Sequence, residues 1–101
     1  MKALLITPDK QTIEAIEING QDDLVKLIGY DTITFDEIGP QGDRLYFDEE
    51  CFLRGSSGRF QIDTVIPVSG KGIIVGSSGD GDELRDAVSV NNDIKGRIKF
   101  L

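Results

Sequence analysis

The apolar residues of this chain come in short runs, and each run is closed by a turn signal. "ALLIT" at residues 3–7 ends in Pro8-Asp9, "TIEAIEI" at 12–18 ends in Asn19-Gly20, and "DTITFDEI" at 31–38 ends in Gly39-Pro40. "IIV" at 73–75 is bracketed by Gly72 and Gly76. β-branched side chains dominate these runs, and glycine and proline punctuate them, so short strands joined by tight connections are the economical solution. The first two runs predict a pair of strands around a Pro8-Asp9 turn. Phe60, Ile62 and Val65 or Ile66 in "RFQIDTVIPV" predict a further extended segment, which Pro67 limits to an edge or an irregular stretch. "DRLYFDEECFLRG" holds two apolar clusters, 45–47 and 51–53, across an acidic turn and predicts a hairpin. "ELRDAV" at 83–88 reads as the return strand of a hairpin turning at "GDGD"; a short helix capped by Asp80 or Asp82 is the competing reading.

Two segments carry helical spacing instead. In "QDDLVKLIGY", Asp22 or Asp23 can cap, Leu24, Leu27 and Ile28 share a face, and Gly29 stops the helix. Near the C-terminus Ser89 is a good N-cap, Ile94, Ile98 and Leu101 fall at i, i+4 and i+7, and Lys95, Arg97 and Lys99 sit where the helix dipole favours cations. Gly96 weakens that helix by roughly 1 kcal/mol relative to Ala. The chain of 101 residues therefore reads as one domain, 1–101, of α+β class. It is expected to be a twisted, mainly antiparallel sheet of about six to eight short strands, with helices at about 22–28 and 90–100 packed on one face. The core is expected to draw on Leu4, Ile6, Ile16, Leu27, Ile33, Phe35, Leu45, Phe47, Ile73, Val75, Ile94 and Ile98.

The missing residue types prune the chemistry. There is no histidine, which removes the commonest general base, the Ser-His and Cys-His nucleophile pairs and the commonest transition-metal ligand together. The one cysteine, Cys51, can form no disulfide within the chain, and it follows Asp48, Glu49 and Glu50, whose charge disfavours a thiolate. A small, half-buried apolar side chain is its expected role. Adjacent acids such as Asp22 with Asp23 or Asp36 with Glu37 do not face each other across a cleft, as paired carboxylate chemistry requires.

"VGSSGDGDEL" at 75–84 has the look of a phosphate loop, but Asp80, Asp82 and Glu83 would compete for its backbone N–H groups. Its glycines do not follow G-x-G-x-x-G, no Gly-Lys-Ser or Gly-Lys-Thr closes it, and calcium-loop spacing fails at Leu84 and Asn91. "GSSG" recurs at 55–58 and 76–79 with flanks that share little, so two loops of like composition suffice. No cofactor, no metal site and no catalytic residue is expected.

Charge is distributed unevenly. Residues 1–50 hold twelve acids against four bases, a balance of −8, and residues 51–101 hold six acids against seven bases, a balance of +1. This disfavours direct nucleic-acid binding, which draws on Lys and Arg. No apolar run approaches the roughly 20 residues that span a bilayer, and the first apolar run is too short for a secretory signal, so a cytoplasmic location without membrane contact is expected.

The segments "MKALLITP", "LYFDEECFLRG" and "GKGIIVGSSGDGDELRDAVSVNNDIKGRIKFL" resemble a group of small uncharacterised domains from bacterial accessory genomes, plasmids and phages. The likeness runs over most of the chain. It implies a strand and then a helix after the "GDG" loop and carries no functional residue onto any position. Two readings of function follow. One is a non-enzymatic protein-interaction module with Asp48, Glu49 and Glu50 as its surface. The other is a small anionic-ligand-binding domain using loops 54–59 and 76–82, with Arg54 and Arg59 as anion anchors. An enzyme built from Asp, Glu, Lys, Arg, Ser and Tyr ranks third. Strand edges are compatible with a homodimer.

Overall fold

The computed structural model describes residues 1–39, 41–54, 58–63, 65–77 and 83–101. In chain order its elements are β1 (Lys2–Thr7), β2 (Thr12–Glu17), α1 (Gln21–Ile28), β3 (Ile33–Glu37) and β4 (Asp43–Asp48). A short 3-10 turn (Cys51–Leu53) follows, then β5 (Arg59–Ile62), β6 (Val68–Ser69), β7 (Gly72–Ser77), β8 (Leu84–Arg85), α2 (Asn91–Lys95) and β9 (Ile98–Phe100). The class is α+β, as the run lengths predict.

The turn signals act where they stand. Lys10 N–H and Gln11 N–H bond back to Thr7 and Pro8 across the β1–β2 turn, at 3.2 and 3.1 Å. Gly29 ends α1 in the left-handed region at φ 95, a conformation its missing Cβ permits, and its N–H reaches the Val25 carbonyl at 2.8 Å. The helix begins at Gln21, one residue before the expected span. Asp22 and Asp23 lie in its first turn, where the helix dipole favours anions, and Asp23 accepts the Asn19 N–H at 2.7 Å.

The strands form two antiparallel sheets. The larger has the order β2-β1-β7-β4-β3, with β8 added to the end of β7; the smaller is β6-β5-β9. Side chains alternate along a strand, so one strand can feed two cores. Ile74, Leu4, Ile6, Leu45 and Phe47 point to a core shared with Phe60, Ile62 and Val68 of the smaller sheet and Ile94 of α2. Ile73, Val75, Ala3 and Tyr46 point to the opposite face, where Leu24 and Ile28 of α1 cover them. The expectation that both helices share one face is therefore corrected: α1 covers one face, and α2 joins the small sheet on the other. The strands between two covers are buried on both sides, and β4 is buried along its whole length.

Of the expected core, Leu4, Ile6, Leu45, Phe47, Ile73, Val75 and Ile94 are buried. Ile16, Leu27, Ile33 and Ile98 are partly covered, and Phe35 is exposed.

The C-terminal segment departs from its helical spacing. α2 ends at Lys95, and the chain turns at Gly96 and Arg97 into β9, which lies along β5 with Phe60 opposite Phe100 and Ile62 opposite Ile98. Ile98 and Phe100 also alternate with Lys99, so a period of two competes with the period of 3.6, and the free edge of β5 decides between them. Arg97 pins the bend: its guanidinium meets Asp63 Oδ2 at 2.5 Å and the Ile38 carbonyl at 2.6 Å. Nor does Ser89 cap α2. Its N–H is taken by Asp43, and Val90 is the N-cap residue.

The predicted hairpin over 45–53 is also corrected. β4 forms, but Cys51–Leu53 is a single 3-10 turn with Cys51 buried and Phe52 and Leu53 outside. At 83–88 the strand reading holds, since β8 pairs Leu84 with Ser77 and Arg85 with Gly76. The "GDGD" turn lies outside the described residues.

At Gly76 the backbone at the end of β8 lies close against β7. A Cβ there would collide with the Asp86 carbonyl oxygen and stand 3.2 Å from that of Arg85. Both obstacles are backbone, so Gly76→Ala is expected to lower unfolding free energy by about 1–3 kcal/mol in urea titrations. An unchanged midpoint would show that β8 is not held against β7.

Candidate functional site: an acidic corner at the end of β4

Asp48 is the last residue of β4 and is buried to 3% relative exposure. A lone buried carboxylate is costly, so its partners decide whether it persists. Asp48 Oδ1 accepts the Thr32 hydroxyl and, at 3.0 Å, the Glu50 N–H. Its Oδ2 accepts Arg54 Nε, also at 3.0 Å. Burial pushes the carboxyl up, but the Thr32, Arg54 and Glu50 hydrogen bonds and the Arg54 charge together outweigh it and hold Asp48 below the usual carboxylate value of 3.8.

The rest of the corner follows from that anchor. By accepting the Glu50 N–H, Asp48 bends the chain locally, which competes with strand continuation and favours the 3-10 turn that follows. The turn brings Arg54 back over Asp48. The same guanidinium reaches Glu50 Oε2 at 3.4 Å, donates to Thr32 Oγ1 at 3.2 Å, and lies 4.2 Å above the Tyr30 ring. Thr32 is fixed in turn by the Glu49 N–H, which bonds to its carbonyl at 2.7 Å. The Arg54 guanidinium pKa is raised, first by its hydrogen bond to Asp48.

The sequence-derived candidates thus fall into separate roles. Asp48, Glu50 and Arg54 are brought together, and Arg54 is committed to carboxylates of its own chain rather than offered to an outside anion. Glu49 and Glu50 are exposed. Arg59 stands apart on β5, with its guanidinium 5.5 Å from the Phe52 ring centroid. Loop residues 55–57 and 78–82, part of the anion-binding reading, lie outside the described residues.

Tyr30 and Thr32 complete the corner, and sequence reading passes over both. They precede β3, whose pairing sets Ile33 opposite Asp48, and there Thr32 meets Asp48 and Tyr30 meets Arg54. Asp43, at the other end of β4, is likewise buried and accepts Val88 N–H at 2.8 Å and Ser89 N–H at 2.7 Å. No local pattern marks it.

A cleft of about 270 Å³ opens beside the corner between Tyr30, Asp48, Asp9 and Lys71, with the Gly58 and Gly70 backbones in its wall. Cys51 is not part of that lining, and its Sγ accepts the Ser69 N–H at 3.5 Å. Among the described residues no three acidic or thiol side chains converge to hold a metal ion. No described helix is long and apolar enough to cross a membrane. No family model, curated protein or solved structure matches the chain.

Because folding lowers the Asp48 pKa, the carboxylate stabilises the fold at neutral pH, and that contribution is lost as pH falls through the folded-state value. Asp48→Asn is expected to cost about 1–3 kcal/mol near pH 7, with the gap from the parent chain closing below about pH 4. Chemical denaturation across that range measures it. A gap independent of pH would mean that Asp48 acts by shape alone.

Proposed function

We propose that this chain is a non-enzymatic protein-interaction module that docks through the corner formed by Glu49, Glu50 and the 3-10 turn. The observation that carries the reading is the pairing of two exposed acids with two outward apolar side chains, Phe52 at 54% and Leu53 at 81% relative exposure. Apolar anchors beside charged groups are what a docking surface needs, since desolvating the anchors supplies affinity while the charges select the partner and steer its approach.

Internal wiring supports docking over catalysis. Both Asp48 oxygens are engaged and the carboxyl is held in its charged form, so it is poorly matched to proton exchange near neutrality. Arg54 is spent in holding the turn. The same wiring keeps Phe52 and Leu53 outward without help from a partner, which lowers the ordering cost of binding. The net charge of −7 favours a basic partner and disfavours nucleic acid. The resemblance of its segments to small domains of bacterial accessory genomes, plasmids and phages supports a place in an accessory or mobile genetic element.

Affinity capture with the immobilised chain tests the reading. The parent is expected to retain a basic protein that elutes as salt is raised, and a Glu49→Lys, Leu53→Asp double variant is expected to lose it while keeping its melting temperature. Recovery of the same proteins by both forms would overturn the corner as the docking surface.

A further inference from the structure

The larger sheet has two outer strands, and they are finished differently. On β2, the Ile13 carbonyl is taken by Asn91 Nδ2 at 2.7 Å, and α2 packs alongside. On β3, no described strand pairs beyond the edge.

The ladder tells which groups are free to pair there. Ile38 N–H bonds to the Asp43 carbonyl, and Glu49 N–H to the Thr32 carbonyl. Both pairs belong to the register that sets Thr34 against Phe47 and Asp36 against Leu45. Hydrogen-bonded pairs alternate in an antiparallel ladder, so Thr32, Thr34, Asp36 and Ile38 face β4, and the backbone groups of Ile33, Phe35 and Glu37 face away from it.

Beside that edge, between β3 and α1, runs a groove of about 350 Å³. Val25, Phe35 and Tyr46 give it an apolar lining, and Asp22 and Asp31 add negative charge. Phe35 is 37% exposed and Val25 is 36% exposed. The Phe35 ring is set by Tyr46, at 5.3 Å between centroids, and by the Arg44 guanidinium, 4.0 Å from its centroid. Asp36 and Glu37 add two more acids along the strand. Lys26 lies in the last turn of α1, and the buried Arg44 of β4 stands opposite Glu37.

We propose that the β3 edge is a strand-addition site for an extended, basic peptide segment of a partner protein. The inference rests on the reading of the chain as a protein-interaction module and gives that partner a chemistry. The incoming strand pairs with the outward backbone groups of Ile33, Phe35 and Glu37. Every second side chain then falls on the α1 side, where an apolar one fits against Phe35 and Val25. Lys or Arg two residues away in either direction falls on the same face and meets Asp22, Asp31 and Glu37. A second copy of this chain is the poorer occupant, because it would bring an edge carrying the same acids against them.

The probe is a fluorescein-labelled peptide of about nine residues, Thr-Lys-Thr-Val-Thr-Val-Thr-Lys-Thr, which sets Val and Lys on one face with Thr on the other and matches a strand of ordinary length. Its binding to the full chain is followed by anisotropy and by amide shifts in heteronuclear spectra. The expected result is salt-sensitive binding with shifts at Ile33, Phe35 and Glu37. Glu37→Pro removes an outward donor and spares the bonds to β4, and an Asp22→Lys, Asp31→Lys variant reverses the charge; each is expected to weaken binding about tenfold or more at low salt. Leu53→Asp is expected to leave peptide binding unchanged.

No binding, or binding that both variants leave intact, overturns the proposal. Shifts confined to Glu49–Arg54 overturn the β3 edge while supporting the corner as the docking surface. Because the corner is tested by lysate capture and the edge by the peptide, the two can fail separately.

Discussion

The structure depends on burying β7 and its neighbours on both faces. Ile73, Ile74 and Val75 are fully buried in succession, although their side chains point alternately to opposite sides of the sheet. Each such side chain gains about 1.5–3 kcal/mol from leaving water, and the residues that point to a face lose that gain if the face lies open. A chain of this length has little to cover two faces with. It uses one two-turn helix on one side, and a three-stranded sheet with a single helical turn on the other. That economy explains why β5, β6, α2 and β9 are so short, and why the last residues are drawn into a strand. The second cover needs β9 on the open edge of β5 more than it needs another turn of helix.

Tight covers leave no slack at the ends of the central strands, and buried carboxylates hold those ends. Asp43 and Asp48 sit at opposite ends of β4, each below 5% exposure; Asp43 accepts the Val88 and Ser89 N–H groups, and Asp48 the Glu50 N–H together with the Thr32 and Arg54 side chains. Asp43 clamps residues 88 and 89 ahead of α2, while Asp48 clamps the turn that presents Phe52 and Leu53. Arg97 does the corresponding work from the cationic side by tying the α2–β9 bend to Asp63 and to the end of β3. In a chain carrying eighteen acids, these buried carboxylates act as fasteners.

How far this was legible from sequence depends on whether the deciding contact is local. Gly29 and the Pro8-Asp9 turn are local, and α1, β1 and β2 fall where their signals put them. The two-sided sheet also left a mark: the unbroken "ALLI" and "IIV" runs differ from the alternation in "TITFDE", as strands covered on both faces differ from an outer strand. Ile98 carried no such mark, because it satisfies the helical spacing from Ile94 and the strand spacing to Phe100 equally, and β5, some forty residues upstream, settles the matter. The corner was half legible. Asp48, Glu50 and Arg54 are close in sequence, so their clustering stands out, whereas Tyr30 and Thr32 arrive through the pairing of β3 with β4. Phe35 fits the alternation of a core residue yet is exposed, because alternation tells which residues share a face, not whether that face is covered.

The uneven charge of the two halves gains a structural meaning once the strand order is known. Both outer strands of the larger sheet come from residues 1–50, and each carries acids and no base. Glu14 and Glu17 lie on β2 and Asp36 and Glu37 on β3, whereas Arg59 lies on β5, Lys95 on α2 and Lys99 on β9. Unpaired strand edges invite association with any extended chain, and charge is one device that prevents it. Here the device is one-signed, which makes it selective rather than merely protective. An acidic strand, including one from another copy, is repelled, whereas a basic one finds its charge matched and only its backbone left to pair. On the strand-addition proposal, the charge that opposes pairing between two such edges also sets the chemistry of what the edge can accept.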